Sequence, residues 1–389
     1  MSAPLCVVVG AGRLGCGYLA PVLADAGWRV VLVGRSLQVV GALRAGSGLL
    51  LCVAGPAGSR RWIGGLDART TDDDALPDLI ASADLVTTSV GPGALTDAGR
   101  WLGPLLRARL DARSAGLNVI TFENHRRAPE LLAAGLLAAE PSLAPHLGRR
   151  LGISGAAAWE VVSRTEVGPD GLCAQTEGVA EAYLDRAALR PGLAPLDGSL
   201  PAWVPVEPFD DWMIEKLWVF NGGHAATAYV GWRAGAATMV AALARPDLHV
   251  RVEQVVRESQ FASTGAARDR PQRTVASILS RYANPALADP VSRVAREPRR
   301  KLAAGDRLLG PAVACLGAGR RPVALARVIA AALAYRGPGD REAATLAHEL
   351  DLLGPAEVLA AVCGLAPGDE LSRLICAGYK DLTAERVSS

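Results

Sequence analysis

The stretch EKLWVFNGGHAATAYVG, Glu215 to Gly231, holds a lysine, an asparagine five residues on and a histidine three beyond that. The lysine stands out because the chain has few of them. Of 41 basic residues only Lys216, Lys301 and Lys380 are lysines, and the rest are arginines. A guanidinium cannot be deprotonated in a protein, whereas a buried lysine can have its pKa lowered toward the operating pH. Lys216 can therefore take the hydroxyl proton as hydride leaves an alcohol, which is alcohol oxidation without a metal. On a continuous α-helix Asn221 lies ~140° and His224 ~80° around from Lys216, at ~100° per residue. Lys216 and His224 are then separated by ~12 Å of rise, and all three share one broad face. Gly222 and Gly223 in that face cost ~1 kcal/mol each relative to alanine; close approach of a ligand or a break in the helix would explain them. The same residues also admit a plainer reading, a surface lysine beside an amide and a histidine in a helix–helix contact. Metal chemistry finds little support: the five histidines form no HExxH or HxH pair.

Such a set must be positioned by a scaffold that also holds a hydride carrier. PLCVVVGAGRLGCGYLAPVLADAGWRVVLVGRS, Pro4 to Ser36, supplies one. An apolar run, Leu5 to Val9, leads into Gly10, Gly12 and Gly15, with Arg13 and Leu14 inside the turn; a helix-period stretch and a second β-branched run, Val30 to Val33, follow. This is GxGxxG in its strand–turn–helix–strand context. The glycines allow the tight turn, the approach of a pyrophosphate and close helix–strand packing, and the helix N-terminus favours the phosphates. A glycine turn in a flavodoxin-like sheet is the alternative. DLVTTSV (84–90) and LNVITF (117–122) are further strands. Ligands bind beyond the carboxyl ends of strands in open α/β sheets, which places Ser89, Val90, Gly91 to Gly93 and Glu123 to His125 at a site.

From Arg190 to Pro208 the chain has five prolines and two glycines in 19 residues. No helix survives that composition, and a domain boundary is expected there. The predicted architecture is α/β: a Rossmann-type nucleotide-binding domain over 1–200 and a mainly α-helical substrate and catalytic domain over 201–389, with the active site in the cleft between them. ALARVIAAALAY, REAATLAHELDLLG and DELSRLICAGYKDL carry the helical period of the second part.

Composition narrows the classes further. The formal charge is +2 in 389 residues, and the arginines are scattered, which argues against a nucleic-acid or membrane-surface partner. Seven cysteines lie far apart with no CxxC, as in a reducing compartment. No run approaches the ~18 apolar residues of a membrane span, and the N-terminus has no signal-peptide pattern. A soluble, cytoplasmic protein is expected.

Five stretches together resemble a known family: GAGRLGCGY, ADLVTTSVGPGAL, TFENHRRAPELL, EKLWVFNGGHAATAYVG and RYANPALADPVSRVAREPRRKLAAGDRLLGP. They are similar to the mannitol-1-phosphate 5-dehydrogenases, within the polyol-specific long-chain dehydrogenases, and run in the same order from residue 5 to about 380. K-x4-N-x2-H is specific to that group and RKLxxxDRL nearly so. The resemblance implies that Lys216 is the general base. Asn221, with Asn124, would donate hydrogen bonds to the developing oxyanion, and His224 would hold a neighbouring substrate hydroxyl. Arg293 and Lys301 match substrate-binding positions and would grip a phosphate. The family also suggests a monomer or loose homodimer.

Two departures bear on specificity. Where the family reads V-D-R-I-V-P, this chain reads AWEVVS, Ala158 to Ser163, with Trp159 and Glu160 near the expected substrate. Members preferring NAD end the second strand with an aspartate for the ribose 2′-OH; here Gly34, Arg35 and Ser36 stand there. Gly34 leaves room for a 2′-phosphate and Arg35 can bind it, so NADP(H) is the expected cofactor, with NAD(H) possible. The implied reaction is oxidation of a secondary alcohol on a polyol or sugar phosphate, of the mannitol 1-phosphate/fructose 6-phosphate type. A different sugar or cyclitol phosphate in a specialised pathway is the alternative substrate. A nucleotide-binding regulator without turnover is the alternative from another class.

Overall fold

In a computed structural model that describes residues 3–55, 58–263 and 273–387, the chain divides into two compact units, Met1–Met213 and Ile214–Ser389. The strands of the first unit are β1 (Leu5–Val9), β2 (Arg29–Gly34), β3 (Gly48–Val53), β4 (Ser59–Gly64), β5 (Leu66–Thr70), β6 (Leu85–Thr88), β7 (Leu117–Thr121), β8 (Leu151–Ala158), β9 (Val162–Gly168), β10 (Gly171–Thr176), β11 (Ala182–Asp185) and β12 (Trp203–Val206). Among the described residues they form an eight-stranded sheet in the order β12-β11-β8-β7-β6-β1-β2-β5 and a four-stranded sheet in the order β4-β3-β10-β9.

The large sheet is parallel except where β11 meets β8. Its central strands are buried on both faces, as parallel strands flanked by helices must be. Successive side chains alternate between faces: Cys6 and Val8 join one core cluster and Leu5, Val7 and Val9 the other. From β1 the chain builds outward through β2 and β5 on one side, and through β6, β7 and β8 on the other. The strand order therefore reverses beside β1, where the loops after β1 and β6 meet. Doubly wound sheets bind ligands at this place.

The prolines of 190–208 exclude a helix but do not make a linker. Trp203–Val206 pairs in parallel with Ala182–Asp185 as an edge strand, a position that tolerates Pro205 because its missing N–H faces away from a ladder. The first unit consequently runs on to Met213, further than residue 200. The described residues of the second unit are helices and loops with one isolated bridge, Thr238 to Pro290. No helix among the described residues is long and apolar enough to cross a membrane. All seven cysteines are free thiols.

Candidate active site

Lys216 does not sit on an α-helix. An α-helical turn, Phe209–Ile214, passes into a π-helix, Glu215–Asn221, and then into the α-helix Gly222–Arg233. Asp210 and Asp211 lie inside its first turn. A π-helix bonds i to i+5 and is often found at functional sites. Lys216 and Asn221 are five apart, so they stand about one turn from each other along the helix, not ~140° around as α-geometry requires. Every residue of the π-turn is buried. Gly222 and Gly223 owe their identity to packing. A Cβ at Gly222 would lie 2.6 Å from the Arg307 carbonyl oxygen, and one at Gly223 2.7 Å from Val256 and 2.9 Å from the Tyr282 hydroxyl. The protein's own chain fills the space that the sequence left open to a ligand.

Burial sets the chemistry of this helix. Lys216 is 6% exposed. Desolvation first, then the charges of Arg307 and Arg281, bring its ammonium pKa down to about 7. Neutral amine and ammonium are then both populated near neutral pH, as a group that takes and returns a proton requires. Tyr282 covers the next turn: its hydroxyl donates to the Phe220 carbonyl at 2.5 Å, and its ring stacks on His224 at 5.1 Å.

His224 is held from its other side. Its Nε2 lies 3.3 Å from Asp289 Oδ2. Burial lowers the imidazole's pKa, against the opposing pull of Asp289, so the ring is neutral at pH 7. A neutral ring that donates from Nε2 keeps Nδ1 as a hydrogen-bond acceptor. Asp289 also accepts from Arg293, at 2.5 Å from Nε and through Nη2. Burial opposes ionisation of Asp289, but His224 and Arg293 together hold its carboxyl down at about 2. Asp289 is 3% exposed, and removing one member of a buried charged set costs about 3–5 kcal/mol. Asp289→Ala is expected to destabilise the second unit by that amount in urea denaturation. A loss below ~1 kcal/mol, the worth of an exposed pair, would show that the site is not held this way. The carboxyl's folded pKa lies below its unfolded value of about 3.9. Its contribution is thus complete above that value and disappears as pH falls through about 2.

Arg293 keeps only Nη1 clear of Asp289. Lys301 is 5% exposed and has its pKa pushed well below the usual lysine range, by burial first and then by Arg307 and Arg300. Lys216, Asn221, His224, Arg293 and Lys301 all belong to the second unit. Asn124 belongs to the first, exposed on the loop after β7.

In the first unit the strand ends are tied to one another. Gly10, at φ +125°, leaves no room for a side chain: a Cβ there would lie 2.6 Å from the Ser89 carbonyl oxygen, and one at Gly15 would lie 1.9 Å from the Gly10 carbonyl oxygen. Ser89 Oγ donates to that same Gly10 oxygen at 2.9 Å. Glu123 accepts from Thr88 Oγ1 at 2.8 Å and from the Val90 N–H at 2.9 Å. Burial raises its carboxyl to about 7, against these hydrogen bonds. Ser89 and Glu123, expected to touch the cofactor, thus join the ends of β1, β6 and β7. Gly12 differs from its neighbours. It is exposed, and a Cβ there would meet nothing within 4 Å. Arg13 is exposed and Leu14 half-buried beside it, while Gly91 takes φ +88° after Val90.

Arg35 and Ser36 are exposed at the end of β2, and among the described residues the Arg35 guanidinium has no hydrogen-bond or ion-pair partner. Ser36 caps the helix Leu37–Gly46 by accepting from the Val39 N–H. The missing side chain of Gly34 is accounted for by packing: a Cβ there would meet the Ala11 Cβ at 2.8 Å. The close pass of the Gly10–Gly12 turn is the reason for glycine at that place. Trp159 is 1% exposed, and Glu160 Oε1 accepts from the N–H groups of Val161, Glu177 and Gly178. Burial lifts the Glu160 carboxyl to about 7. At least one of its oxygens is thereby given to the backbone.

Sequence reasoning missed Asp289, Tyr282 and Arg307. All three lie in the long quoted stretch from Arg281 to Pro311, but a single sequence offers no rule that brings them back to Lys216.

Residues 5–224 match the mannitol dehydrogenase Rossmann domain, and residues 207–360 match the mannitol dehydrogenase C-terminal domain. Two proteins named mannitol-1-phosphate 5-dehydrogenase are similar over nearly their whole length. The one from Arthrobacter sp. (strain FB24) is 31% identical over 385 residues, 97% of this chain and 98% of that protein. The one from Pseudarthrobacter chlorophenolicus is 30% identical over 388 residues, 98% of each. Among solved structures, the Pseudomonas fluorescens mannitol 2-dehydrogenase in ternary complex with NAD and D-mannitol superposes with a TM-score of 0.83 at 16% identity, covering 100% of this chain and 93% of that one. A substrate-free D-sorbitol dehydrogenase gives 0.73 at 18% identity, covering 99% and 94%. At those identities the structural likeness shows the fold.

Proposed function

Because the chain belongs to the mannitol dehydrogenase family, we propose that it interconverts a secondary alcohol and a ketone on a sugar or polyol phosphate, of the mannitol 1-phosphate/fructose 6-phosphate type. NADP(H) is its preferred nicotinamide cofactor. The observation that carries this reading is Lys216, a lysine buried in a π-helical turn with its pKa brought down to about 7.

The residues present fit a dinucleotide. Gly12 is open, the turn sits where the strand order reverses, and Arg35 is free at the end of β2. When bound, the nicotinamide supplies the hydride acceptor or donor. The chain's own part is the proton and the charge. Lys216 takes the hydroxyl proton in oxidation and returns it in reduction. Asn221 donates to the oxygen as negative charge develops there. His224, neutral and fixed by Asp289, accepts from a neighbouring hydroxyl through Nδ1. Lys301 and the remaining nitrogen of Arg293 bind the anionic end. The names of the two bacterial relatives support the phosphate ester.

Trp159 and Glu160 favour a second reading, a different sugar or cyclitol phosphate, because they replace the Asp-Arg pair of the family's usual V-D-R-I-V-P. The test is NADPH consumption with fructose 6-phosphate, fructose and other ketose phosphates. Fructose 6-phosphate is expected to exceed fructose in kcat/KM by about tenfold or more, as one charge-assisted contact of ~1.5–3 kcal/mol requires, and Lys301→Ala is expected to lower that advantage. Equal use of free sugar and ester would refute the assignment.

A further inference from the structure

One buried group near Lys216 carries a nitrogen that the machinery described so far does not use. Arg307 is 7% exposed. Its backbone N–H and its Nε both donate to Asp306 Oδ1, at 2.6 and 2.7 Å. Its Nη2 is fully buried and, among the described residues, has no hydrogen-bond partner. A buried guanidinium nitrogen left without an acceptor is costly, and native chains seldom carry one without a reason.

Position supplies the reason. The Arg307 carbonyl is pressed against Gly222, directly after Asn221. The guanidinium is close enough to act electrostatically on Lys216, Lys301 and His224. Two buried basic groups, Arg307 and Lys301, therefore lie within electrostatic reach of each other, with Asp306 the carboxylate bonded to Arg307. Lys301 feels Glu297 and Asp306 as its opposing charges, and both are outweighed there by burial and by Arg307 and Arg300. By contrast Arg293 has two of its nitrogens committed to Asp289. Such a corner is short of negative charge and short of one hydrogen-bond acceptor. An anionic oxygen supplies both, and a guanidinium matches phosphate or carboxylate oxygens better than an ammonium does.

We propose that Arg307, through Nη2 and together with Lys301, is the principal anion-binding group of this site, and that it takes the phosphate oxygens of the substrate. This rests on the reading of the substrate as a phosphate ester.

Two variants test it, Arg307→Gln and Arg307→Lys, each first checked for a native circular-dichroism spectrum. The readout is the ratio of kcat/KM for fructose 6-phosphate over fructose, so that a general loss of activity cancels. Arg307→Gln is expected to lower the ratio by about tenfold or more, the worth of a charge-assisted contact. Arg307→Lys, which keeps charge but loses the fork, is expected to fall between Gln and wild type. A ratio unchanged in both variants would overturn the proposal, leaving Arg307 as packing on the π-helix. A second measurement separates this from failure of the substrate reading. Inorganic phosphate is expected to bind wild-type protein in calorimetric titration and to bind Arg307→Lys about tenfold more weakly. If wild type uses fructose as well as its ester yet binds phosphate through Arg307, the anion corner stands and the substrate assignment falls. Equal phosphate binding by wild type and Arg307→Lys would sink the anion corner itself.

Discussion

Lys216→Ala is expected to lower kcat by about 10²- to 10⁴-fold, the range that a positioned general acid–base contributes, while dinucleotide binding stays close to wild type. The loss is of proton transfer, and the residues proposed for the cofactor belong to the other unit. Lys216→Arg is the sharper test. It keeps the positive charge and approximate reach but cannot give up a proton, so it is expected to be nearly as poor. Arginine retaining a substantial share of wild-type turnover would remove the need for a titratable group. The pH dependence has a fixed sign. Oxidation requires the neutral amine, so its kcat/KM rises with pH through about 7. Reduction requires the ammonium and falls above the same value. Stability separates chemistry from folding. The folded pKa lies below the unfolded lysine value of about 10.4, so the native state disfavours the protonated lysine. That penalty is full below about 7 and is relieved as pH rises toward the unfolded value. Lys216→Met, similar in length and uncharged, is therefore expected to melt no lower than wild type at neutral pH while losing turnover. A marked drop in its melting temperature would mean that the lysine is held for packing.

Local pattern made part of this legible. Leu5–Val9 and the run that became Arg29–Gly34 read as strands because parallel strands buried on both faces are written as unbroken apolar runs. The glycine turn read correctly because its three glycines occur in the strand–turn–helix context that needs them. The four-stranded sheet was not foreseen. Cys52 and Gln175, partners in β3 and β10, are far apart in sequence, and no local period announces such a pairing. Trp203–Val206 was hidden by Pro205 and the prolines around it, and a proline suits an edge strand as well as a loop. At the site, residue types were legible and their geometry was not. The spacing from Lys216 to Asn221 looks scattered on an α-helix and aligned on a π-helix, and nothing in the two side chains says which. Glu123 and Ser89 stood at the right strand ends, yet the structure employs both on neighbouring backbone and hydroxyl groups. Arg307 stayed invisible because its meaning is a missing partner, which only the folded chain reveals.

Arg35→Ala is expected to erode a preference for NADPH while leaving NADH kinetics almost unchanged. The end of β2 is where a Rossmann unit meets the adenosine ribose. An aspartate there would repel a 2′-phosphate; this chain places Gly34, Arg35 and Ser36 instead. The structure changes the reason assigned to Gly34. Its missing side chain accommodates Ala11, whose Cβ would stand 2.8 Å from an added one, so Gly34→Asp would disturb the glycine turn as well as the charge and is a poor test. Arg35 is the clean position, being exposed and without an ion-pair or hydrogen-bond partner among the described residues. Ser36 accepts from the Val39 N–H and still has its own O–H to donate. Two magnitudes compete here. A hydrogen bond to a charged group is worth ~1.5–3 kcal/mol, whereas exposed ion pairs give ~0–1 kcal/mol. A dianionic phosphate facing a free guanidinium beside a hydroxyl donor favours the first, and open exposure pulls toward the second. The expected preference therefore lies nearer tenfold than a hundredfold, at ~1.4 kcal/mol per decade. It is measured as kcat/KM for NADPH over NADH at fixed substrate. Because the contact is exposed, the ratio is expected to shrink as salt is raised through the range where the screening length falls below ~10 Å, and Arg35→Ala is expected to lose that salt dependence together with the preference. Wild-type efficiency with NADH equal to or above that with NADPH would show that Arg35 points to solvent and that the missing aspartate does not select the cofactor.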